Sequence, residues 1–145
     1  MAGTRIYLAS RYSRANEMQG VRDVLTALGY EITSRWIDHH GGKYPGSFTP
    51  EQLNRDPVYC SGIAHADCDD LVAADTVVSF TCGSGGKGGR HVEFGIGLAL
   101  GKRAIVVGPR EHVFHTLPQV VHYSDWPALV RALTVESAAF AGSTV

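Results

Sequence analysis

The chain has 145 residues, of which 44% are hydrophobic and 19% are charged, and its formal net charge at pH 7 is −1. This length predicts one domain, residues 1–145, with a substantial core, and is too short for a two-halved dinucleotide-binding fold. A nearly neutral charge excludes bulk attraction to nucleic acid polymers or anionic membranes, and no apolar run approaches the ~20 residues of a membrane span. The start shows no signal-peptide pattern, so we expect a cytoplasmic protein.

Strand and helix patterns alternate from the beginning of the chain. Residues 5–9 form a short apolar strand that contains Tyr7, and residues 13–28 follow with apolar side chains on one helical face. Residues 30–36 alternate as a strand should and end at Trp36, before a turn-rich loop over 38–47. Both strand ends should face one crevice, where Trp36 could stack on a base or instead fill the core.

Two helices are predicted next, and the second carries the first candidate catalytic carboxylate. Thr49 with Pro50 is typical of a helix start, and a longer helix covers about 57–74. In that helix Asp67 shares a face with apolar side chains four residues away on either side, so it is either paired or functional. Asp70 lies on another face and is expected to be solvated. Asp75, directly before the next strand, is more typical of a turn or cap.

The strand over 77–80 leads into a loop of glycines and cations, Cys82-Gly-Ser-Gly-Gly-Lys-Gly-Gly-Arg90. Its spacing matches the dinucleotide pattern, but the loop follows a middle strand, and no Gly-Lys-Ser/Thr closes it as a P-loop. The glycines still let backbone N–H groups approach an anion at a helix N-terminus, and Lys87 and Arg90 add positive charge. An anion site is therefore one interpretation, and a flexible surface loop is the other.

The helix over 90–100 carries Glu93 in its first turn, 26 residues after Asp67. Acids are common there because the helix dipole favours them, and the same field keeps a carboxylate ionised, as a nucleophile requires. Two carboxylates beside an anion loop indicate chemistry on a small phosphorylated or hydroxylated substrate. A strand over 103–108 and a last helix over 126–133 complete the pattern, with a tail from about 136 that we expect to be loose. Alternating elements of this size predict a parallel sheet covered on both faces.

The seven histidines and three cysteines lack the spacing of metal sites. His91, His112, His115 and His122 show no His-x-x-x-His pair, and the cysteines contain no Cys-x-x-Cys pair. We therefore expect no metal, no cofactor and no disulfide framework.

Three motifs resemble the nucleoside 2-deoxyribosyltransferase superfamily, which includes the 2'-deoxynucleoside 5'-phosphate N-hydrolases. They are Ile6-Tyr-Leu-Ala-Ser10, Asp67 with the segment 71–78, and Gly89-Arg-His-Val-Glu93-Phe-Gly-Ile-Gly-Leu-Ala-Leu-Gly-Lys102. The likeness covers about 4–135, although residues 38–60 match little. It implies a flavodoxin-like (Rossmann-like) three-layer sandwich with a central parallel sheet, in a homo-oligomer whose minimal unit is a dimer.

The resemblance also implies residue roles. Glu93 would attack the anomeric carbon of an N-glycoside, Asp67 would act as the acid/base for the departing base, and Tyr7 would lie near base and sugar. His115 would complete the site of a neighbouring subunit. The other candidate substrate-binding residues are Ser10, Arg11, Tyr12, Arg14, Trp36, Ser84, Gly85, Lys87, Gly89 and Arg90.

One departure from the superfamily decides between substrates. Transferases of free nucleosides place an acid in the loop before the nucleophile, where it accepts a hydrogen bond from the 5'-hydroxyl, but residues 76–92 contain no acid. A phosphate fits Lys87, Arg90 and the glycines better. We therefore expect an N-hydrolase of a nucleoside or deoxynucleoside 5'-monophosphate. A base-exchanging nucleoside transferase and a non-catalytic nucleotide-binding or sensing domain are the alternatives. The identity of the base stays open.

Overall fold

A computed structural model of the chain describes residues 4–39, 48–82 and 88–142. Five parallel strands form one sheet in the order β2-β1-β3-β4-β5. The strands are β1 Arg5–Ala9, β2 Glu31–Ile32, β3 Thr76–Phe80, β4 Arg103–Val107 and β5 Val120–Tyr123. This is the flavodoxin-like strand order, whose switch point lies between β1 and β3, so the predicted fold class is confirmed.

Helices cover both faces of the sheet. They are α1 Ala15–Ala27, α2 Pro50–Arg55, α3 Pro57–Ala73, α4 Gly89–Ala99 and α5 Trp126–Gly142, with 3-10 turns at Tyr12–Arg14, Arg35–Asp38 and Val113–Thr116. Helices α3 and α4 pack side by side on one face, and α1 and α5 lie on the other. The three layers follow from strands that are buried on both sides; all five residues of β3 are buried.

Local signals in the sequence explain where several elements begin. Thr49 and Gln52 exchange the two hydrogen bonds of a capping box at the start of α2, as predicted. Asp56 caps α3 by accepting from the Tyr59 N–H at 3.2 Å. Gly29, after α1, has φ of 99°, a left-handed conformation that favours glycine and ends the helix.

The strand predicted over 30–36 is wrong beyond its start, because β2 covers two residues only. The Thr33 N–H still donates to the Ile6 carbonyl, and beyond Thr33 the chain bonds to β1 through side chains. Ser34 Oγ accepts from the Leu8 N–H at 2.9 Å, and Trp36 Nε1 donates to the Leu8 carbonyl at 2.7 Å. These contacts satisfy the backbone of β1 while the chain turns into the 3-10 segment.

The end of the chain also differs from the prediction. The last helix continues past residue 133 to Gly142, and Glu136 and Ser137 dock it by bonding to Tyr30 and to the Leu28 carbonyl. Strand β5 was not predicted, because four residues give too short a periodic pattern. No helix in the described ranges has both the length and the apolar composition that a bilayer span requires. The cytoplasmic location stays a prediction.

Candidate functional site

The register of the sheet decides which way Tyr7 points. Tyr7 on β1 pairs with Val77 on β3, and paired residues of parallel strands project to the same face. A Cβ built on Gly97 of α4 would lie 2.6 Å from Val77 Cγ1, so Val77 faces α4. Tyr7 therefore projects into the layer formed by α3 and α4, where it is fully buried.

The same packing contact brings the two predicted catalytic carboxylates together. A Cβ built on Gly97 would also lie 3.8 Å from Leu71 of α3, so Gly97 and Leu71 mark facing positions on the two helices. Glu93 and Asp67 lie four residues earlier on these helices, which places each one turn away on the same face. Glu93, Asp67 and Tyr7 thus meet on one side of the sheet.

Electrostatics confirm that these three side chains are close. Burial raises the pKa of Glu93 well above its ordinary value, the Asp67 carboxylate raises it further, and the Tyr7 hydroxyl lowers it. Burial followed by the charge of Glu93 also raises the pKa of Tyr7, which stays protonated. The Tyr7 hydroxyl approaches Glu93 without reaching full hydrogen-bond geometry, and in the described chain both it and Glu93 Oε2 lack a hydrogen bond.

Ser79 is a site residue that the sequence analysis missed. It pairs with Ala9 and so lies two positions along from Tyr7 and Val77, on the same face of the sheet. Its hydroxyl is buried and makes no hydrogen bond within the described residues. A serine in an apolar strand does not by itself indicate a functional site. Side chains alternate between the two faces of a strand, so the register is needed to place Ser79 on the same face as Tyr7.

The residues after β1 are at the same edge of the sheet as expected. Ser10 is buried with a hydroxyl that has no hydrogen bond in the described chain, and Arg11 Nε is likewise buried without one. The Tyr12 hydroxyl bonds to His39 Nδ1. Arg14 pairs with Glu17 at 2.7 Å and lies 5.9 Å from the centre of the Phe80 ring at the end of β3. These residues therefore follow the carboxyl end of β1 directly, and their role in binding a substrate stays a prediction.

Trp36 is part of the core. Its ring is 4% exposed, and Nε1 is bonded to the Leu8 carbonyl. Of the two interpretations given by the sequence, the structure favours the core aromatic, because a ring so covered has no face left for stacking on a base.

Arg90 is held by an acid that lies outside the glycine-rich loop. Its Nη2 donates to both carboxylate oxygens of Glu111 at 2.9 Å, and the two side chains are 3% and 6% exposed. Glu111 follows β4, and nothing in the spacing of 21 residues predicted this pair. The sequence assigned the positive charge of Arg90 to an incoming phosphate. That charge is already balanced by Glu111 within the protein.

The rest of the predicted anion loop is described only at its end. Ser84, Gly85 and Lys87 lie outside the described residues. Gly88, with φ of 86°, immediately precedes α4, and Gly89 is its first residue, with open space where a Cβ would lie. A ligand could approach the backbone of this helix start closely, as the sequence predicted.

Asp70 differs from the interpretation given by the sequence, whereas Asp75, described there as more typical of a turn or cap, does not. Asp70, expected to be solvated, is buried and accepts hydrogen bonds from Arg35 at the backbone N–H, 2.9 Å, and at Nε, 2.8 Å. It thereby fastens α3 to the segment after β2, one turn from Asp67. Asp75 hydrogen-bonds through its backbone to Arg5 and Arg103 at the strand starts, the opposite edge from the carboxylates.

Three histidines converge although their spacing gave no sign of it. One ring nitrogen from each of His91, His112 and His115 lies within 4.8 Å of the others. His91 is on α4, and the other two belong to the segment after β4. Burial lowers the pKa of His91, and burial together with the neighbouring histidines lowers the pKa of His115 to about 4, so the rings of His91 and His115 are neutral at pH 7.

His115 is 1% exposed in its own chain, where its Nδ1 accepts from the Glu111 N–H at 3.0 Å. The prediction that it reaches a neighbouring subunit's site stays a prediction. To reach a neighbouring subunit, the His115 side chain would have to leave this buried position.

Comparisons with known proteins agree with the fold. No protein-family model matches the sequence, and no curated protein matches it. A 2-deoxyribosyltransferase from the psychrotolerant bacterium Bacillus psychrosaccharolyticus superposes with a TM-score of 0.63 at 19% identity, covering 89% of this chain and 95% of that one. The CMP N-glycosidase BcmB of Clostridium botulinum gives a TM-score of 0.53 at 20% identity, covering 90% and 98%. These two likenesses show that the chain shares the fold of both enzymes.

Proposed function

We propose that this protein is an enzyme that cleaves the N-glycosidic bond of a nucleoside or deoxynucleoside 5'-monophosphate, releasing the free base and the sugar phosphate. The observation that carries the proposal is the convergence of Glu93 and Asp67 beside the protonated Tyr7, on one face of the sheet. Both structural neighbours are named for related chemistry, one for deoxyribosyl transfer and the other for N-glycoside cleavage of CMP.

The chemistry follows a double displacement. The Glu93 carboxylate bonds to the anomeric carbon while the bond from that carbon to the base breaks, and Asp67 gives its proton to the departing base. A water molecule then attacks the same carbon, passes a proton to Asp67, and frees Glu93. The proton that leaves on the base is thus replaced from water.

The environment of the two carboxylates suits these separate roles. Like charges in a buried site repel, so the pair retains one proton, which is the condition for one acid and one nucleophile. Tyr7 favours the ionised form of Glu93, since its hydroxyl lowers the pKa of that carboxyl. Tyr7 is therefore assigned as the group that offsets part of the rise in the pKa of Glu93 and orients its carboxylate.

The 5'-phosphate is assigned to the start of α4. Backbone N–H groups at Gly88 and Gly89 and the positive end of the helix favour an anion. Since Glu111 already balances Arg90, the net positive charge of this region depends on Lys87. Ser84 and Gly85 are proposed to complete the phosphate loop, and Ser10, Arg11, Tyr12 and Arg14 to border the substrate.

The Arg90–Glu111 pair also favours a second candidate, a nucleoside 2-deoxyribosyltransferase that exchanges bases between free nucleosides. Because Glu111 balances the charge of the Arg90 guanidinium, the loop attracts a phosphate less strongly than its sequence indicates. In this case a second base, rather than water, would take the sugar from Glu93.

We also propose that the working unit is a homodimer. Val92 on α4 and Phe114 line the same groove and are more than half exposed, which is unusual for large apolar side chains grouped on one surface. Sedimentation of Phe114→Glu should show a shift toward monomer. Val135→Glu, at an equally exposed site on α5, is the control and should leave the assembly unchanged.

A substrate panel tests the reaction. Ribo- and deoxyribonucleosides and their 5'-monophosphates are incubated with the protein, with and without an acceptor base, and free base is measured. We expect kcat/KM for the monophosphate to exceed that for the nucleoside by ~100-fold, since charge-assisted contacts contribute roughly 1.5–3 kcal/mol each. Lys87→Gln should shrink this preference, whereas Lys102→Gln, at the opposite edge of the sheet, should not.

Two results would contradict the proposal. Preference for the free nucleoside, with efficient transfer to an added base, would identify the transferase. No turnover of any nucleoside or nucleotide, together with saturable nucleotide binding, would instead identify a non-catalytic nucleotide-binding or sensing domain.

A further inference from the structure

The histidine cluster contains polar atoms that the hydrogen bonding of the protein does not satisfy. His112 Nε2 lies 3.1 Å from His91 Nδ1, so these two nitrogens share a single proton. His112 Nδ1 and His115 Nε2 are buried and have no hydrogen bond within the described residues. The His112 and His115 ring centres are 3.7 Å apart. Of the two buried nitrogens, His115 Nε2 is the one that an ion within the cluster would bind, and a buried ring nitrogen without a partner is costly unless something binds it.

The spacing of the nitrogens suits a metal ion. Two nitrogens bound to one zinc ion at about 2.0–2.1 Å lie ~3.3 Å apart in a tetrahedral site. The observed 3.1 Å between His112 Nε2 and His91 Nδ1 is close to that separation. The ligand nitrogens of all three rings lie within 4.8 Å of one another, so at least one ring must rotate to bring the three to one ion.

We propose that His91, His112 and His115 bind a divalent transition-metal ion such as Zn²⁺, separate from the carboxylate site. Three imidazoles are a donor set that borderline metal ions prefer, and the fourth position is left for water or another small ligand. His91 and His112 line a groove of about 630 Å³ between α4 and the segment that follows β4, so an ion has a path from solvent.

Glu111 supplies the outer support that metal-bound histidines usually have. With His91 binding through Nδ1, its Nε2 faces the Glu111 carboxylate at 3.9 Å. At 3.9 Å this carboxylate makes no hydrogen bond to the ring, but its charge favours the tautomer of His91 that carries the proton on Nε2. Glu111 in turn is fixed by Arg90.

Metal binding by His115 requires a change in which ring nitrogen carries the proton. Its Nδ1 accepts the Glu111 N–H, which places the ring proton on Nε2, the nitrogen that faces the cluster. Binding through Nε2 moves that proton to Nδ1 and ends this hydrogen bond. Metal binding therefore shifts the peptide at Glu111, and it links α4 to the segment carrying His112 and His115.

The test uses the full chain without an affinity tag, treated with a chelator and then titrated with Zn²⁺ alone. Isothermal titration calorimetry should show one ion per chain. His91→Gln and His112→Gln should each weaken binding by about 100-fold, because each removes one of three ligands. Co²⁺ should give the visible absorption of a tetrahedral nitrogen site in the wild type and lose it in both variants.

Matched controls locate the site. His65→Gln removes an exposed histidine on α3, and Cys82→Ser removes an exposed thiol; neither should change the affinity. Zn²⁺ should also raise the unfolding temperature of the wild type and leave that of His91→Gln unchanged, which keeps the test valid if one variant is less stable. Absence of Zn²⁺ binding by the wild type, or equal binding by wild type and both cluster variants, would overturn the proposal.

Discussion

Helix α4 carries two ionisable side chains one turn apart, the buried Arg90 and the half-buried Glu93, and their surroundings differ. Arg90 finds a carboxylate that accepts two hydrogen bonds, so its charge is balanced where it lies. Glu93 faces a second carboxylate instead, and its Oε2 lacks a hydrogen bond in the described chain. A buried charge that is compensated stabilises the fold, whereas one that is opposed must be retained for another reason. The contrast supports our proposal that Glu93, rather than Arg90, is the reactive group.

The comparison is tested most strongly by removing the nucleophile. Glu93→Gln keeps the shape of the side chain and removes its negative charge, so the covalent route is lost while packing is kept. We expect kcat/KM to fall by at least ~10⁴-fold. Release of free base from the best nucleotide substrate measures this, and circular dichroism checks that the variant is folded. Activity within tenfold of the wild type would remove Glu93 from the mechanism.

Asp67→Asn should have the next largest effect. An amide cannot donate the proton that the departing base needs, and general acid catalysis typically contributes 10²–10⁴-fold, so we expect a loss of about 10²-fold or more. A substrate with a base that leaves easily should recover much of the rate in this variant. Equal losses for good and poor leaving groups would argue against proton donation by Asp67.

Breaking the Arg90–Glu111 pair should lower the stability of the fold rather than the rate of the reaction. Glu111→Gln leaves the buried Arg90 charge unbalanced, and we expect the free energy of unfolding to fall by about 2 kcal/mol in urea titrations. Glu31→Gln breaks an exposed pair, Arg5–Glu31 at 3.4 Å, and should cost less than about 0.5 kcal/mol. If both variants lose the same small amount, Arg90 is not held as the structure indicates.

The smallest expected effect is a pH dependence of the unfolding temperature, which should arise from Glu93 and not from Arg90. The pKa of Glu93 in the fold is raised above its ordinary 4.5, so its protonated form stabilises the native state at low pH. That stabilisation is lost as pH rises through the raised pKa. The unfolding temperature of Glu93→Gln should therefore rise relative to that of the wild type as pH increases above 4.5. A difference that stays constant over this range would mean that Glu93 is not opposed by its surroundings.

Much of the fold and the central pair of the site could be predicted from the sequence. Alternating strand and helix patterns, with the capping signals at Thr49, placed most elements, because such signals act over a few neighbouring residues. The motif around Glu93 and the apolar face around Asp67 indicated the two carboxylates, since helical periodicity fixes a face without knowledge of the partner.

The partners of these residues were decided by the tertiary structure alone. Strand order and register turn Tyr7 and Ser79 toward α3 and α4, and they bring Glu111 to Arg90 across 21 residues of chain. They also gather the histidines of α4 and of the segment after β4 into one cluster. Charge balance and metal-binding geometry depend on distances between elements, and no local pattern encodes a distance that exists only after the sheet has formed.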